Sequence, residues 1–329
     1  MFASKNSKVL IPVYVFFHPV IPVSVKYLTG YLDNFTLNGC RIAAGTLALV
    51  GICLISKPGE LDKVLRSRAS RAIIGRIVLL FFLVQYLKVG GMARTSAMMG
   101  GLIEVLGFPC GIFMATVFFT DERSHVAHRN FILGALLAAI GTAGFTLSNK
   151  MDNVEFSTGT LMLLGGMLGS CFTAIWMKKA CRNQDPYAVS AVLHLVLALF
   201  FLGSSLIFGT PRVLLEISMQ VHLVLWGSGA FGVVLGGAVA LLIIKVRGLV
   251  TYQVLSCICP LPTALVACWL LGESLTPAMV FFGAVQIAGC ALALKKPPCA
   301  TQVGGGLGEG DGKVILHAGQ ISAFQSRDR

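Results

Sequence analysis

Six stretches of this chain contain no Asp, Glu, Lys or Arg: Asn130–Asn149, Phe156–Met177, Pro186–Pro211, Ile217–Ile244, Gly248–Gly272 and Ser274–Leu294. A helix needs about 20 predominantly apolar residues to cross the hydrocarbon of a bilayer, and each run is long enough. One soluble core cannot absorb so many uncharged runs. Charged residues make up 12% of the chain, against about 25% in a soluble domain, and the mean hydropathy is +0.82. Soluble enzymes, secreted disulfide scaffolds and nucleic-acid binders are excluded. The net charge of +12 belongs on one membrane face instead.

Four further runs carry isolated charges. Val9–Val25 extends past Lys26, which can snorkel; Asn34–Ser56 contains Arg41; Ile73–Leu87 follows a cluster of arginines; Thr95–Thr120 contains Glu104. With a cytoplasmic N-terminus, the inside connections hold Lys5, Lys8, Lys57, Lys63, Arg66, Arg68, Arg71, Arg76, Arg123, Arg129, Lys178, Lys179, Arg182, Lys245, Arg247, Lys295 and Lys296. The outside set is Lys26, Lys88, Arg94, Lys150 and Arg212. That bias follows the positive-inside rule for ten spans with both termini cytoplasmic. Lys5 and Lys8 before an apolar run imitate a signal peptide, but no small-residue cleavage site closes the run, so it reads as the first span.

The halves resemble each other. Pro109 precedes Glu122 by the same spacing that separates Pro260 from Glu273, and Gly134 and Gly141 answer Gly283 and Gly289 in the span that follows each acid. An odd number of spans per half inserts the second half upside down, a pattern of transporters with a central site. The expectation is an all-α polytopic membrane protein of ten transmembrane helices as two inverted five-helix repeats, 1–150 and 151–296. A Gly-rich tail, 297–329, is expected to be disordered and cytoplasmic.

These residues resemble the EamA-type drug/metabolite transporter superfamily. The match rests on Pro109 with Glu122, on Pro260 with Leu271-Gly272-Glu273-Ser274-Leu275, and on Val25-Lys26-Tyr27-Leu28 and Cys40-Arg41. It covers about residues 9–296. It implies two five-helix repeats and transport of a small molecule, and gives Arg41 a structural or gating role. The usual aromatic-Gly-Ser stretch of helix one is replaced here by Phe16-Phe17-His18-Pro19-Val20-Ile21-Pro22. Nucleotide-sugar and triose-phosphate transporters share the superfamily fold.

Glu104 is the one acid deep in a span. Its burial in lipid would cost roughly 2.5–3.5 kcal/mol, so it should face a cavity or a partner. A carboxyl in apolar surroundings also takes up a proton more readily, which suits proton exchange. Its alternative is a fixed pair with Arg41 or Lys26. Arg41 could bind an anion, lock Glu104 or snorkel. His18 and His194 could relay protons, although a hydrogen-bonded packing role is the commoner one for either alone. Gln85, Tyr86, Trp176, Tyr252, Gln253 and Gln286 are amphipathic groups of the kind that line small-molecule pockets. Pro109 and Pro260 can kink their helices and act as hinges.

Other patterns are decoys. The ten cysteines lie mostly in apolar runs without a zinc spacing, and His125 and His128 sit in a short connection without helical i,i+4 spacing. Gly304–Lys313 imitates a phosphate loop but has Leu307 and Val314 at the wrong places. No cofactor is therefore expected. The expected partners are a small-molecule substrate, a proton or counter-substrate, and the bilayer. The leading reading is a secondary transporter in the export direction, with a cell membrane favoured over an organellar one. The runner-up is an exchanger of nucleotide sugars or sugar phosphates, with Lys245 and Arg247 as its cations. A membrane-embedded enzyme is the reading from another class.

Overall fold

The computed structural model describes residues 12–95, 97–120, 123, 126, 128–148, 158–272 and 275–295. Lys5, Lys8, Glu122, His125, Lys150, Glu273 and the tail from Pro297 lie outside them, so readings that rest on those residues have no structural counterpart here. The described part is helical. Helix α1 runs from residue 12 to Leu28 and is broken at His18 and Pro19, with its second part Val20–Leu28. It is followed by α2 (Asn34–Ser56), α3 (Arg68–Ala93), α4 (Ala97–Phe118), α5 (Arg129–Ser148) and α6 (Thr158–Ala180). Then come α7 (Pro186–Phe208), α8 (Met219–Arg247), α9 (Leu249–Leu271) and α10 (Pro277–Leu294). Among the described residues, seven helices, α2, α3 and α6 to α10, are long and apolar enough to cross a membrane, while Gly107–Phe118 and Arg129–Phe145 are shorter apolar helices.

Helix ends follow capping chemistry. Asp33 starts α2 by accepting from the amides of Phe35 and Thr36, and Asp185 starts α7 by accepting from Tyr187 and Ala188. Each aspartate also reaches the far end of the other helix. Asp33 accepts from the amide and hydroxyl of Thr210 beyond α7, each at 2.9 Å, and Asp185 pairs with Lys57 just beyond α2. The two helices therefore run antiparallel and are tied at both ends. Between the ties, Thr36 and Ser205 share a buried hydroxyl contact of 2.7 Å.

Burial would raise the Asp33 carboxyl, but hydrogen bonds from Thr36 and Thr210 outweigh it and hold the group below its ordinary value. Its contribution is thus complete above the ordinary carboxylate range, near pH ~4, and is lost as pH falls through the lower folded value. Asp33→Ala should cost about 1–2 kcal/mol at neutral pH, with the difference in melting temperature from wild type shrinking under acid conditions. A difference independent of pH would assign the effect to something other than the carboxylate.

Helices α5 and α10 meet backbone to backbone. A Cβ at Gly134 would stand 2.4 Å from the Ala293 amide, one at Gly141 the same distance from the Gln286 amide, and one at Gly144 2.1 Å from the Phe282 ring. The order along the two helices is opposite, so they too are antiparallel. Elsewhere α3 packs on α6, α4 on α6 and α9, α1 on α8 and α9, α2 on α8, and α3 on α7. Two elements depart from regular α-helix. Gly232–Val239 within α8 is π-helical, and α9 restarts at Pro260, which supplies no amide for the ladder. Gln286 of α10 donates to the Cys257 carbonyl beside that restart, at 2.8 Å.

Candidate functional site

The helices enclose a cavity of about 270 Å³. Its described lining comes from α1, α2, α3, α4, α6, α7, α8 and α9, and none of it from α5 or α10. Of the residues singled out from sequence, Glu104, Arg41, His18, His194, Gln85, Tyr252 and Gln253 line it. Two do not. Tyr86 turns its ring onto Phe35, 5.2 Å between centroids, while its carbonyl accepts from Asn34. Trp176 packs at the end of α6, where the Lys179 ammonium lies 5.3 Å from its ring. An amphipathic ring near a helix end has both an interior and an interfacial solution, and here packing takes it. Pro109 lies inside α4 near its middle and is exposed; Pro260 begins the second part of α9. Pro109 does not line the cavity.

Glu104 pairs with neither Arg41 nor Lys26. Its carboxylate accepts from Lys88 at 2.5 Å. Sequence placed Lys88 in an outside connection because the apolar run stops at Leu87. The helix continues to Ala93, however, and carries Lys88 to the cavity wall. An ammonium that faces a cavity and a carboxylate is not in lipid, so the insertion penalty that ended the run does not apply. The Glu104 side chain keeps 46% of its surface open, and the residue lines the cavity, so the opening is inward. Lys26 instead donates to the Met92 carbonyl at 3.1 Å, where it covers the end of α3.

Arg41 is buried in α2, with 8% of its surface exposed. Its Nε donates to the Ser228 hydroxyl of α8 at 3.2 Å. It crosses α8 where a Cβ at Gly229 would lie 2.3 Å from the Arg41 carbonyl; only glycine allows so close a backbone approach. His194 of α7 is buried with Nδ1 2.7 Å from the Ser190 carbonyl. A carbonyl only accepts, so Nδ1 carries the proton and Nε2 is left as an acceptor. The His194 ring sits edge-on to Phe81, 5.7 Å away. The His18 ring lies tilted near Tyr14, at 4.7 Å, and its buried Nδ1 has no hydrogen-bond partner among the described residues.

The π-helical segment of α8 unites these side chains. Gly232 faces the Arg41 guanidinium, Gly236 faces the His18 ring and Gly237 faces the His194 ring. Short π segments are frequent at functional sites. The spacings Gly165-x3-Gly169 and Gly232-x3-Gly236 allow close helix approach. Gly169 does meet Val84 of α3, whereas Gly232 and Gly236 border the cavity. Missed entirely were Lys88, Ser170, Thr173, Ser256 and Thr263, which also line it. Lys245, a cation of the sugar-phosphate reading, donates to the Gln184 carbonyl at 2.6 Å, and neither it nor Arg247 lines the cavity. Among the described residues no group of His, Cys, Asp and Glu could hold a metal ion.

No protein-family profile matches the chain. It is 27% identical over 282 residues to an uncharacterized transporter of Haemophilus influenzae, across 83% of this chain and 91% of that protein. A crystal structure of a protein described no further superposes with a TM-score of 0.67 at 16% identity, covering 86% of this chain and 96% of the other. The chain is thus a largely helical, multi-pass membrane protein, distantly related to a transporter.

Proposed function

We propose that the chain is a secondary active transporter whose cavity opens alternately to the two sides of the membrane. Ten spans form two inverted five-helix repeats, 1–150 and 151–296, with both termini cytoplasmic and the cell membrane as host. The observation that carries this reading is the packing. Advancing every helix by five places turns the α3–α6 contact into α8–α1, α4–α6 into α9–α1, and α2–α8 into α7–α3. The pairs α2–α7, α4–α9 and α5–α10 return to themselves. Counterparts α2 and α7 run antiparallel with matching aspartate caps, as do α5 and α10 with matching glycines. A pseudo-two-fold axis in the membrane plane produces this arrangement. The resemblance to EamA-type transporters and the similarity to a transporter of Haemophilus influenzae favour the same reading.

The cargo is a small metabolite or drug-like compound moved in the export direction. A proton or counter-substrate provides the drive, with Glu104 as the proton-carrying group. The sugar-phosphate reading is the weaker one, because its proposed cations, Lys245 and Arg247, lie outside the cavity. Purified protein in sealed proteoliposomes should concentrate members of a metabolite mixture when a pH gradient or an internal counter-substrate is imposed. Fluxes that equal protein-free vesicles under both drives, from protein that remains monodisperse, would defeat the transporter reading.

A further inference from the structure

We infer that Arg41 forms the anion-binding subsite of the cavity and that the ligand it selects is a small organic carboxylate with an apolar body. This rests on the transporter reading and specifies its substrate class. Three charged side chains line the cavity among the described residues: Arg41, Lys88 and Glu104. Lys88 and Glu104 satisfy each other at 2.5 Å, which leaves the cavity with one uncompensated positive charge. Beyond the bond from Nε to Ser228, the Arg41 guanidinium has no acceptor among the described residues, and no carboxylate lies within ion-pair distance. A guanidinium more than nine-tenths buried without a counter-charge is expensive to hold. A ligand that supplies the charge recovers that cost.

The surroundings keep a place for it. A Cβ at Gly232 would lie 3.3 Å from Arg41 Nη2, so any larger side chain there would take the space beside the fork. One step along the same face, Gly236 turns toward the His18 ring. The guanidinium, with donors to spare, thus borders the side-chain-free face of the π-helical segment, and His18 Nε2 lies 4.0 Å from a Cβ built at Gly236 on that face. The planar fork of an arginine matches a carboxylate with paired donors and a geometry that a lysine cannot reproduce. The adjoining wall is apolar, with Ile21, Phe81, Val233 and Leu241 among its residues. An apolar body suits that wall, and one negative charge balances the lining. An amide carbonyl accepts a hydrogen bond but leaves the guanidinium charge uncompensated, and an ammonium group repels it.

Full-length protein in lipid nanodiscs provides the test. Radiolabelled aliphatic and aromatic carboxylates, each beside its own primary amide, are titrated in a scintillation proximity assay. At least one carboxylate should bind roughly tenfold or more tightly than its amide, the scale of one charge-assisted hydrogen-bond pair. Arg41→Gln should abolish that preference by weakening the carboxylate alone, and Arg41→Lys should restore part of it. If Arg41→Gln does not fold, the preference of the wild-type protein still decides. Equal affinity for acid and amide, competition by chloride with no carboxylate binding, or no carboxylate binding at all would each overturn the assignment. Gradient-driven flux of neutral or cationic compounds alone would keep the transporter reading and discard the anion subsite. Carboxylate binding with no flux of any class would do the reverse.

Discussion

Glu104→Gln should abolish gradient-driven transport while ligand binding and exchange persist. The glutamine keeps the size of the side chain and can still accept from Lys88, but it cannot carry a proton. In the cavity the carboxylate is held by Lys88 at 2.5 Å and stays open to the interior space. Protonating it would release the lysine, so charge and contact change together, as a coupling element requires. Lys88→Met should act differently, because it strands a carboxylate in the cavity wall. Folded yield should fall, by less than the roughly 3–5 kcal/mol of a dry pair, since nearly half of the Glu104 side chain remains open. Adding Glu104→Gln to Lys88→Met should restore yield without restoring coupling. Proton flux and ligand counterflow in the same proteoliposomes separate the two effects. Undiminished coupling in a well-folded Glu104→Gln protein removes this residue from the mechanism.

The second large effect concerns the α5–α10 contact. Gly289→Ala should reduce folded yield severalfold, because its Cβ would stand 2.4 Å from the Ala138 amide and 2.7 Å from the Gly134 carbonyl. Backbone on both sides cannot yield as a flexible side chain can, so the helices must separate along their length. Overpacking costs typically about 1–3 kcal/mol, and the upper end applies where the obstacle is main chain. Gly203→Ala in α7 is the control: nothing lies within 4 Å of its Cβ, and the gain in helix propensity should leave stability equal or slightly higher. Fluorescence-detected gel filtration and thermal melts of the two variants make the comparison. Equal yields would show that the interface does not depend on the absence of that side chain.

Helix positions were legible in the sequence because lipid imposes one length and one polarity on every crossing element. Asn34–Ser56 was read to the residue. Glu104, Arg41 and both histidines were legible as cavity candidates for the same reason, since a polar group within an apolar run needs a destination. Lys88 escaped because it terminates a run, and a terminal charge reads as a loop residue whether its helix stops or continues. The alternative partners offered for Glu104, Arg41 and Lys26, therefore left out the one it has, Lys88. Tyr86 and Trp176 show another limit: their chemistry fits a pocket or a packed interface equally well, and only the rotation of the helix decides. The π-helical turn of α8 left no periodic signal, since Gly232–Val239 is apolar on every side. The deviation from α geometry shows only in which side chains its glycines face.

Helices α5 and α10 contribute no described residue to the cavity, yet they meet backbone to backbone at three glycines, Gly134, Gly141 and Gly289. Changes to the two regions should accordingly combine additively, as distant sites do. One tie to the cavity wall is the hydrogen bond from Gln286 to the Cys257 carbonyl, one residue from cavity-lining Ser256. A lineage of such proteins could exchange one cargo for another by altering wall residues on the other helices. The interlocked glycines of α5 and α10 would then pass unchanged from one specificity to the next.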